Sequence, residues 1–399
     1  IFIFYSIFLI YTLMMLAFVF SNNMLFSIIV LEAASILYFF LMVINQSKAQ
    51  SLKSLMRFLI VNGLIALFLF SGIIWIGENA GSYVHSVWCS LRDELTNENI
   101  YIPALLLIII GSMLKSIQIP FKYWKPGDQH AIFPVSAYGH SVTVGISGIF
   151  LLARLNPVLG STTYWMYILS TAGIFFMLTG AYLALRKTNI HSILSYTTIN
   201  AMGILLLLIG INTPLSLKAA LLFFFVHAFY KSTLYLVGGL IRKKTNIEDF
   251  RTPAGLIKSF PVTFIVTLLA ALSMAGIPPM LGFLSKELIY EAKIYLPGIS
   301  SGILLLGVIA NIMMVAVAFM LVYKIFIGNL HLSKRKKHTV SFLSVIPMLI
   351  VLLNLIFGLF PGLLGKTLVE NSLQSVYSNS ANVHLIMFEG FNDIFWLSS

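Results

Sequence analysis

The sequence predicts an all-α polytopic membrane protein with about eleven transmembrane helices, and three observations carry that reading. Of 399 residues, 59% are hydrophobic and 10% charged, where a soluble domain carries roughly a quarter charged residues. Stretches near the roughly 20 apolar residues that a bilayer-spanning helix needs recur along the whole chain. The net charge of +12 is gathered in short loops between those stretches, which is the positive-inside pattern of membrane proteins rather than a nucleic-acid surface. The single cysteine, Cys89, excludes a disulfide framework and a Cys-based metal site. The chain begins with Ile1 inside an apolar run, so it is expected to lack its own N-terminus rather than to carry a signal peptide.

In order, the apolar segments are 2–20, 24–45, 55–77, 101–119, 134–154, 162–185, 191–211, 216–241, 259–293, 300–328 and 340–361. The loops "QSKAQSLKS" (46–54), "RKT" (186–188), "RKKTNIEDFRTPAGLIKS" (242–259) and "LSKRKKH" (332–338) are basic, whereas 78–100 holds Glu78, Asp93, Glu94 and Glu98 against Arg92. Counting segments puts every basic loop on one side, expected to be cytoplasmic, and the acidic loop on the other. The tail 363–399 is mixed, and "HLIMFEGFNDIFWL" is expected at the interface.

Two segments are interrupted by proline, at "KSIQIPFKYWKPG" (115–127) and "AGIPPMLGFLSKE" (275–287). They are the fourth and ninth, an odd offset, so they run in opposite directions. Broken helices at matching places in two halves mark inverted-repeat transporters. The expected domains are a first repeat over 1–154, a second over 162–328, and a C-terminal helix with its tail over 340–399. Irregular backbone at membrane depth is tolerated only where it faces protein or water, so both breaks are expected to line a hydrated path.

Ionisable residues lie inside these segments: Glu32 in the second, Lys115 near the break of the fourth, and His140 opening the fifth. His227 and Lys231 are in the eighth, and Lys286, followed by Glu287, comes after the break of the ninth. His227 and Lys231 are four apart and share a helical face. Each ionisable group at the bilayer centre costs about 2.5–3.5 kcal/mol, so several in one chain ask for a reason beyond side chains snorkelling from helix ends. Burial disfavours a lysine's ammonium and a carboxylate restores it; arginine never deprotonates. Lys115 is thus a candidate proton carrier biased by Glu32. His85, His331, His338 and His384 lie in loops or at edges and carry no assignment. His85 and Cys89 share a helical spacing, but two ligands do not make a zinc site. No phosphate-binding, dinucleotide, nucleophile-elbow or CxxC motif is present, so no cofactor or metal is expected and any redox chemistry belongs to a partner.

The motifs "KSIQIPFKYWKP…FPVSAYGHS…GIFLLARLNPVLG", "HSILSYTTINAMG", "HAFYKSTLYLVGGLI" and "LSMAGIPPMLGFLSKE" resemble blocks of the antiporter-like subunits. These occur in Mrp-type Na+/H+ antiporters, respiratory complex I and membrane-bound hydrogenases. The likeness covers roughly 20–330 and is greatest to the large Mrp subunit. It implies a midplane row of charges to which Glu32, Lys115, His227, Lys231 and Lys286 belong, with His140 as a partial bridge. It also implies proton or Na+ movement, partner membrane subunits, contact with lipid and none with nucleic acid. The expected location is a bacterial or archaeal plasma membrane, or the mitochondrial inner membrane if the chain belongs to complex I. A proton-pumping arm of a redox translocase is the alternative function, and a scaffold with an interrupted relay is a third. The last arises because family lysines align with Ile146 and His191, the family aspartate with Gly127, and the following glutamate with His130. By the same resemblance the chain begins near the family's fourth helix and stops short of a long C-terminal extension.

Overall fold

The computed structural model describes residues 2–44, 48–116, 133–245, 247, 249, 251, 255–294, 300–327, 342–377 and 385. Its helices are α1 (Phe2–Phe20), α2 (Met24–Val43), α3 (Lys48–Ala80), α4 (His85–Ser90), α5 (Arg92–Asn97), α6 (Tyr101–Ser116), α7 (Phe133–Ser141), α8 (Val144–Leu159) and α9 (Thr163–Leu185). They continue as α10 (Ile190–Ile211), α11 (Pro214–Thr245), α12 (Pro261–Ala275), α13 (Leu281–Ile294), α14 (Ser300–Phe326) and α15 (Phe342–Leu359). After these come α16 (Pro361–Leu364), a π-turn over Gly365–Val369 and α17 (Glu370–Tyr377).

Eight spans are long and apolar enough to cross a membrane, and Tyr101–Ser116, Pro261–Ala275 and Ser344–Leu359 are shorter apolar helices. Among the described residues these match the eleven apolar segments one for one. The chain is an all-α integral membrane protein. Large apolar side chains such as Phe2, Phe20, Leu67, Ile312 and Phe319 stand exposed, as lipid-facing or partner-facing positions require.

The chain divides into two compact units, Ile1–Leu169 and Ser170–Ser399. In the first, α3 packs on α6, α1 on α2, and α6 on α8. Small residues set the last approach: Gly148 of α8 has no room for a Cβ against the Ser112 carbonyl, and Ser116 Oγ accepts from the Ile149 amide at 3.1 Å. Small side chains that let helix backbones meet are the usual membrane solution. In the second unit α11 is the hub, packed by α10, α12, α13 and α15.

Each unit contains a helix started by an asparagine cap. Asn23 Oδ1 accepts from the Phe26 amide at 3.0 Å, and Asn189 Oδ1 accepts from the His191 amide at 2.9 Å. Asn23 and Asn189 also form isolated antiparallel bridges, to Val84 and Asp249 respectively.

The second proline break is a true interruption. α12 stops at Gly276, in the left-handed region at φ 69°, a conformation that favours glycine. Its amide and that of Ile277 close back on Ser273 and Leu272, and the chain restarts as α13 after Pro278, Pro279 and Met280. The first break, 117–132, lies outside the described residues.

Two expectations need correction. The acidic stretch 78–100 is not a plain loop: α3 runs on to Ala80, and α4 and α5 follow. Segment 134–154 is not one helix, because it divides at Val142–Thr143 into α7 and α8. Hydroxyls cluster at the break: Ser141 donates to the Ala137 carbonyl, Thr143 Oγ1 donates to the Tyr138 carbonyl at 3.1 Å, and the Tyr11 hydroxyl donates to Thr143. Such groups compete with the helical ladder.

On α4, His85 Nε2 lies 2.7 Å from the Arg154 carbonyl, and Cys89 Sγ is 3.8 Å from His85 Nδ1. Among the described residues no group of three metal-ligating side chains occurs. Burial pushes the Cys89 thiol up from its ordinary value, partly offset by Arg154 and Arg92. The thiolate is the reactive form. A membrane-impermeant maleimide is therefore expected to label Cys89 in intact cells, slowly at neutral pH and faster at pH 9. Labelling confined to lysed cells at both pH values would reverse the orientation read from the loop charges.

Candidate functional site

In the first unit, α2 contributes Glu32, α3 contributes Asn62 and α6 contributes Lys115. Lys115 Nζ lies 2.6 Å from Glu32 Oε1, with side chains 3% and 13% exposed. Asn62 links the pair: its amide donates to Glu32 Oε2 at 2.5 Å, and its Oδ1 accepts from Lys115 Nζ at 3.1 Å. The three groups form a closed ring of charge-assisted hydrogen bonds in a buried setting, where such bonds are at their strongest. Lys115 reaches this place because α6 carries it one residue before its last described turn ends at Ser116. Asn62 was not foreseen as a site residue. Its only sequence signal is a lone amide inside "FLIVNGLIALFLF".

His140 is buried on α7. Its neighbour Gly139 packs directly on the phenol of Tyr38, which α2 carries six residues after Glu32. Ile146 is buried on α8, across the break at Thr143. His140 and Ile146 thus stand on separate helices, α7 and α8. Positions 127, 128 and 130 lie outside the described residues.

In the second unit, His227 and Lys231 are fully buried on α11. The Lys231 ammonium donates to the Leu194 carbonyl and the Thr197 hydroxyl, both on α10. It lies 5.8 Å from the centroid of the Tyr235 ring. His191, which stands where the resemblance expects a lysine, is buried at the start of α10 with its ring 5.3 Å from that of Tyr235. Thr197 and Tyr235 were missed by the sequence reading because nothing marks them out among the many Thr and Tyr of the spans.

Lys286 stands on α13, directly after the break. Its Nζ donates to the Ala275 carbonyl at 3.3 Å, the last residue of α12. Its stem runs against Gly276, where a Cβ would collide with it. A cavity of about 60 Å3 adjoins it, lined by Asn200, Tyr230, Lys286, Tyr290, Lys293 and Asn311 among others. A single water needs roughly 10–15 Å3 by this measure, so the cavity has room for several. Lys293, 2% exposed, was also not foreseen; it sits close enough to the end of its segment to read as interfacial.

The geometry thus places ionisable groups, neutral hydrogen-bonding groups and a water-sized space inside an otherwise apolar helical body. Lysine and glutamate side chains can each exist with and without a proton, and burial sets which form is favoured.

A sequence profile described as NADH:quinone oxidoreductase/Mrp antiporter, transmembrane, matches residues 21–313. The A1 subunit of the Na+/H+ antiporter of Staphylococcus saprophyticus is 29% identical over 98% of this chain and 52% of its own length. Its counterpart of the same name in Staphylococcus aureus strain MRSA252 is 28% identical over 98% of this chain and 52% of its own. The chain spans about half the length of these curated relatives. Among solved structures, a chain of the Mrp complex from Dietzia sp. DQ12-45-1b superposes with a TM-score of 0.88 at 26% identity. That match covers 99% of this chain and 43% of the Dietzia chain.

Proposed function

Because the chain belongs to the NADH:quinone oxidoreductase/Mrp antiporter transmembrane family, we propose that it is an antiporter-like subunit of a multisubunit membrane complex, moving protons against a cation such as Na+. The observation that carries this reading is the buried ring of Glu32, Asn62 and Lys115. With Glu32 ionised and in contact, the ammonium is held by a charge and a dipole. When Glu32 turns away, only the Asn62 carbonyl oxygen remains among the described residues, and a buried ammonium so held favours giving up its proton. The motion of one carboxylate thus loads and unloads one lysine. In the second unit the Leu194 carbonyl, the Thr197 hydroxyl and the Tyr235 ring hold Lys231, while Lys286 borders the water-sized cavity.

The stretches 1–154 and 162–328 are read as repeats. The helices α2 and α10 are the second and seventh segments, five apart; both start at an asparagine that caps the helix and forms a bridge. An odd offset gives the repeats opposite directions in the membrane, as in transporters that alternate access around a central site. The complex is read as seated in a bacterial plasma membrane, because the antiporter relatives named above come from bacteria.

The test is to purify the complex through a tag on this chain, reconstitute it in vesicles and follow an entrapped pH dye after a Na+ jump. Na+-dependent proton movement, with small hydrophobic subunits co-purifying, is the expected result. Co-purifying iron–sulfur proteins and flux only with an electron donor would assign the chain to a redox-driven pump. Assembly without any ion flux would make it a scaffold.

A further inference from the structure

Lys286 and Lys293 are seven residues apart on α13. That spacing returns to nearly the same helical face, about 10 Å further along the axis. Tyr290 lies between them, four residues after Lys286 and three before Lys293, so the three side chains form one stripe. The stripe faces the cavity of about 60 Å3. The far end of that cavity is shaped for the second lysine. Gly307 of α14 lies against Lys293 Nζ, where a Cβ would strike the ammonium. The ammonium is 5.5 Å from the centroid of the Tyr290 ring. Lys293 is not a snorkelling residue: it is 2% exposed, although it stands one residue before the end of α13. Among the described residues it makes no ion pair.

The groups that face it are known. Lys286 and Tyr290 come from its own helix, Tyr230 from α11, Asn200 from α10 and Asn311 from α14. Among the described residues no Asp or Glu lines this space. Glu287, beside Lys286 on α13, acts on Lys286 electrostatically but does not line the cavity, so a permanently charged pair of lysines sharing this space would be costly. Water and a tyrosine face make one charge tolerable at a time. Lys293 also lies at the end of α13 opposite the basic loop 242–259, where the segment enters.

We propose that Lys293 is a second proton carrier, which exchanges a proton with Lys286 through water in this cavity and so forms the mouth of the second unit's path on the side away from the basic loops. The step is a transfer from the ammonium of one lysine to the free amine of the other through hydrogen-bonded water. The Tyr290 hydroxyl can accept one proton while donating its own, and total charge in the cavity is unchanged. This inference rests on the proposed proton-moving function and adds a residue and an exit to it.

The test uses the reconstituted complex carrying Lys293→Met, Lys293→Arg or Lys293→His, with assembly checked on native gels. Lys293→Met and Lys293→Arg are expected to lower proton flux at least ten-fold, the first for want of a titratable group, the second because it holds its proton. Lys293→His is expected to restore part of the flux with its optimum moved to lower pH, a shift that a merely structural side chain would not produce. If Lys293→Met does not assemble, Lys293→Arg, which keeps size and charge, decides. Wild-type flux in Lys293→Arg overturns the proposal, as does wild-type flux in Lys293→Met. Loss of wild-type flux when chloride is replaced by gluconate also overturns it, by making the cavity an anion site. The outcomes separate from those of the underlying reading. If Lys115→Ala and Lys231→Ala abolish flux while the Lys293 variants keep it, only this inference falls. If wild type itself moves no protons, the functional reading falls first.

Discussion

Replacing Lys231 by alanine is expected to abolish proton flux, by about 100-fold or more, the lower range for removing a positioned proton-transfer group, while the complex still assembles. Lys231 is fully buried. The Leu194 carbonyl and Thr197 hydroxyl accept from its ammonium, and the Tyr235 ring lies beneath. The Leu194 carbonyl also accepts from Thr197 Oγ1 at 2.8 Å and Thr198 Oγ1 at 3.1 Å, so truncating the lysine does not orphan it. The helix should therefore survive the substitution. Lys231→Gln sharpens the result, because glutamine can still donate to both acceptors but cannot carry a proton. It is expected to be as inactive as alanine. Thr197→Ala removes the hydroxyl's two hydrogen bonds, to the Leu194 carbonyl and from the Lys231 ammonium, the latter worth roughly 1.5–3 kcal/mol because it involves a charge, and should slow flux by roughly ten- to hundred-fold. Half or more of wild-type flux in Lys231→Gln would remove α11 from the proton path.

The helical architecture is legible because in lipid the backbone leaves little choice. With no water to satisfy amides and carbonyls, each apolar stretch must be a helix, and eleven such stretches can be counted by eye. The divided fifth segment was not legible. "SAYGHSVTVG" has the composition of a span, and the hydrogen bonds that gather at the break, from Ser141 and Thr143 to preceding carbonyls and from Tyr11 on α1, have no sequence signal. The same limit applies to the site. Glu32, Lys115, Lys231 and Lys286 stand out because a charge is expensive in an apolar run. Asn62, Thr197 and Tyr290 do not, since neutral polar side chains are common in spans and gain meaning only from what they touch. Lys293 shows a third case. A lysine near the end of a segment reads as a snorkelling residue, and its burial depends on Gly307, a residue of another helix whose role no spacing rule reveals.

The Glu32–Asn62–Lys115 ring permits a prediction in which stability and transport separate. Lys115→Met leaves the Glu32 carboxylate buried with the Asn62 amide alone, and breaking one side of a buried pair costs about 3–5 kcal/mol. That figure belongs to fully buried pairs, and Glu32 at 13% exposed should bring the loss to the low end of the range. Adding Glu32→Gln removes the stranded charge, and the new side-chain carbonyl can still accept from the Asn62 amide. The double variant, Glu32→Gln with Lys115→Met, is therefore expected to be more heat-stable in detergent than Lys115→Met alone, yet equally unable to move protons. Lys115→Arg gives the complementary case. Its guanidinium keeps the pairing with Glu32 and Asn62, so assembly and thermal stability should stay near wild type. Arginine does not release its proton at any working pH, so flux should fall about as far as in Lys115→Met. The comparison tells a carrier from a counter-charge. If Lys115→Arg transports at the wild-type rate, the ion pair is a fixed strut that positions Glu32, and the moving proton belongs to the carboxylate. If Lys115→Arg is stable and inactive, the same geometry that holds the lysine's charge must also let it go.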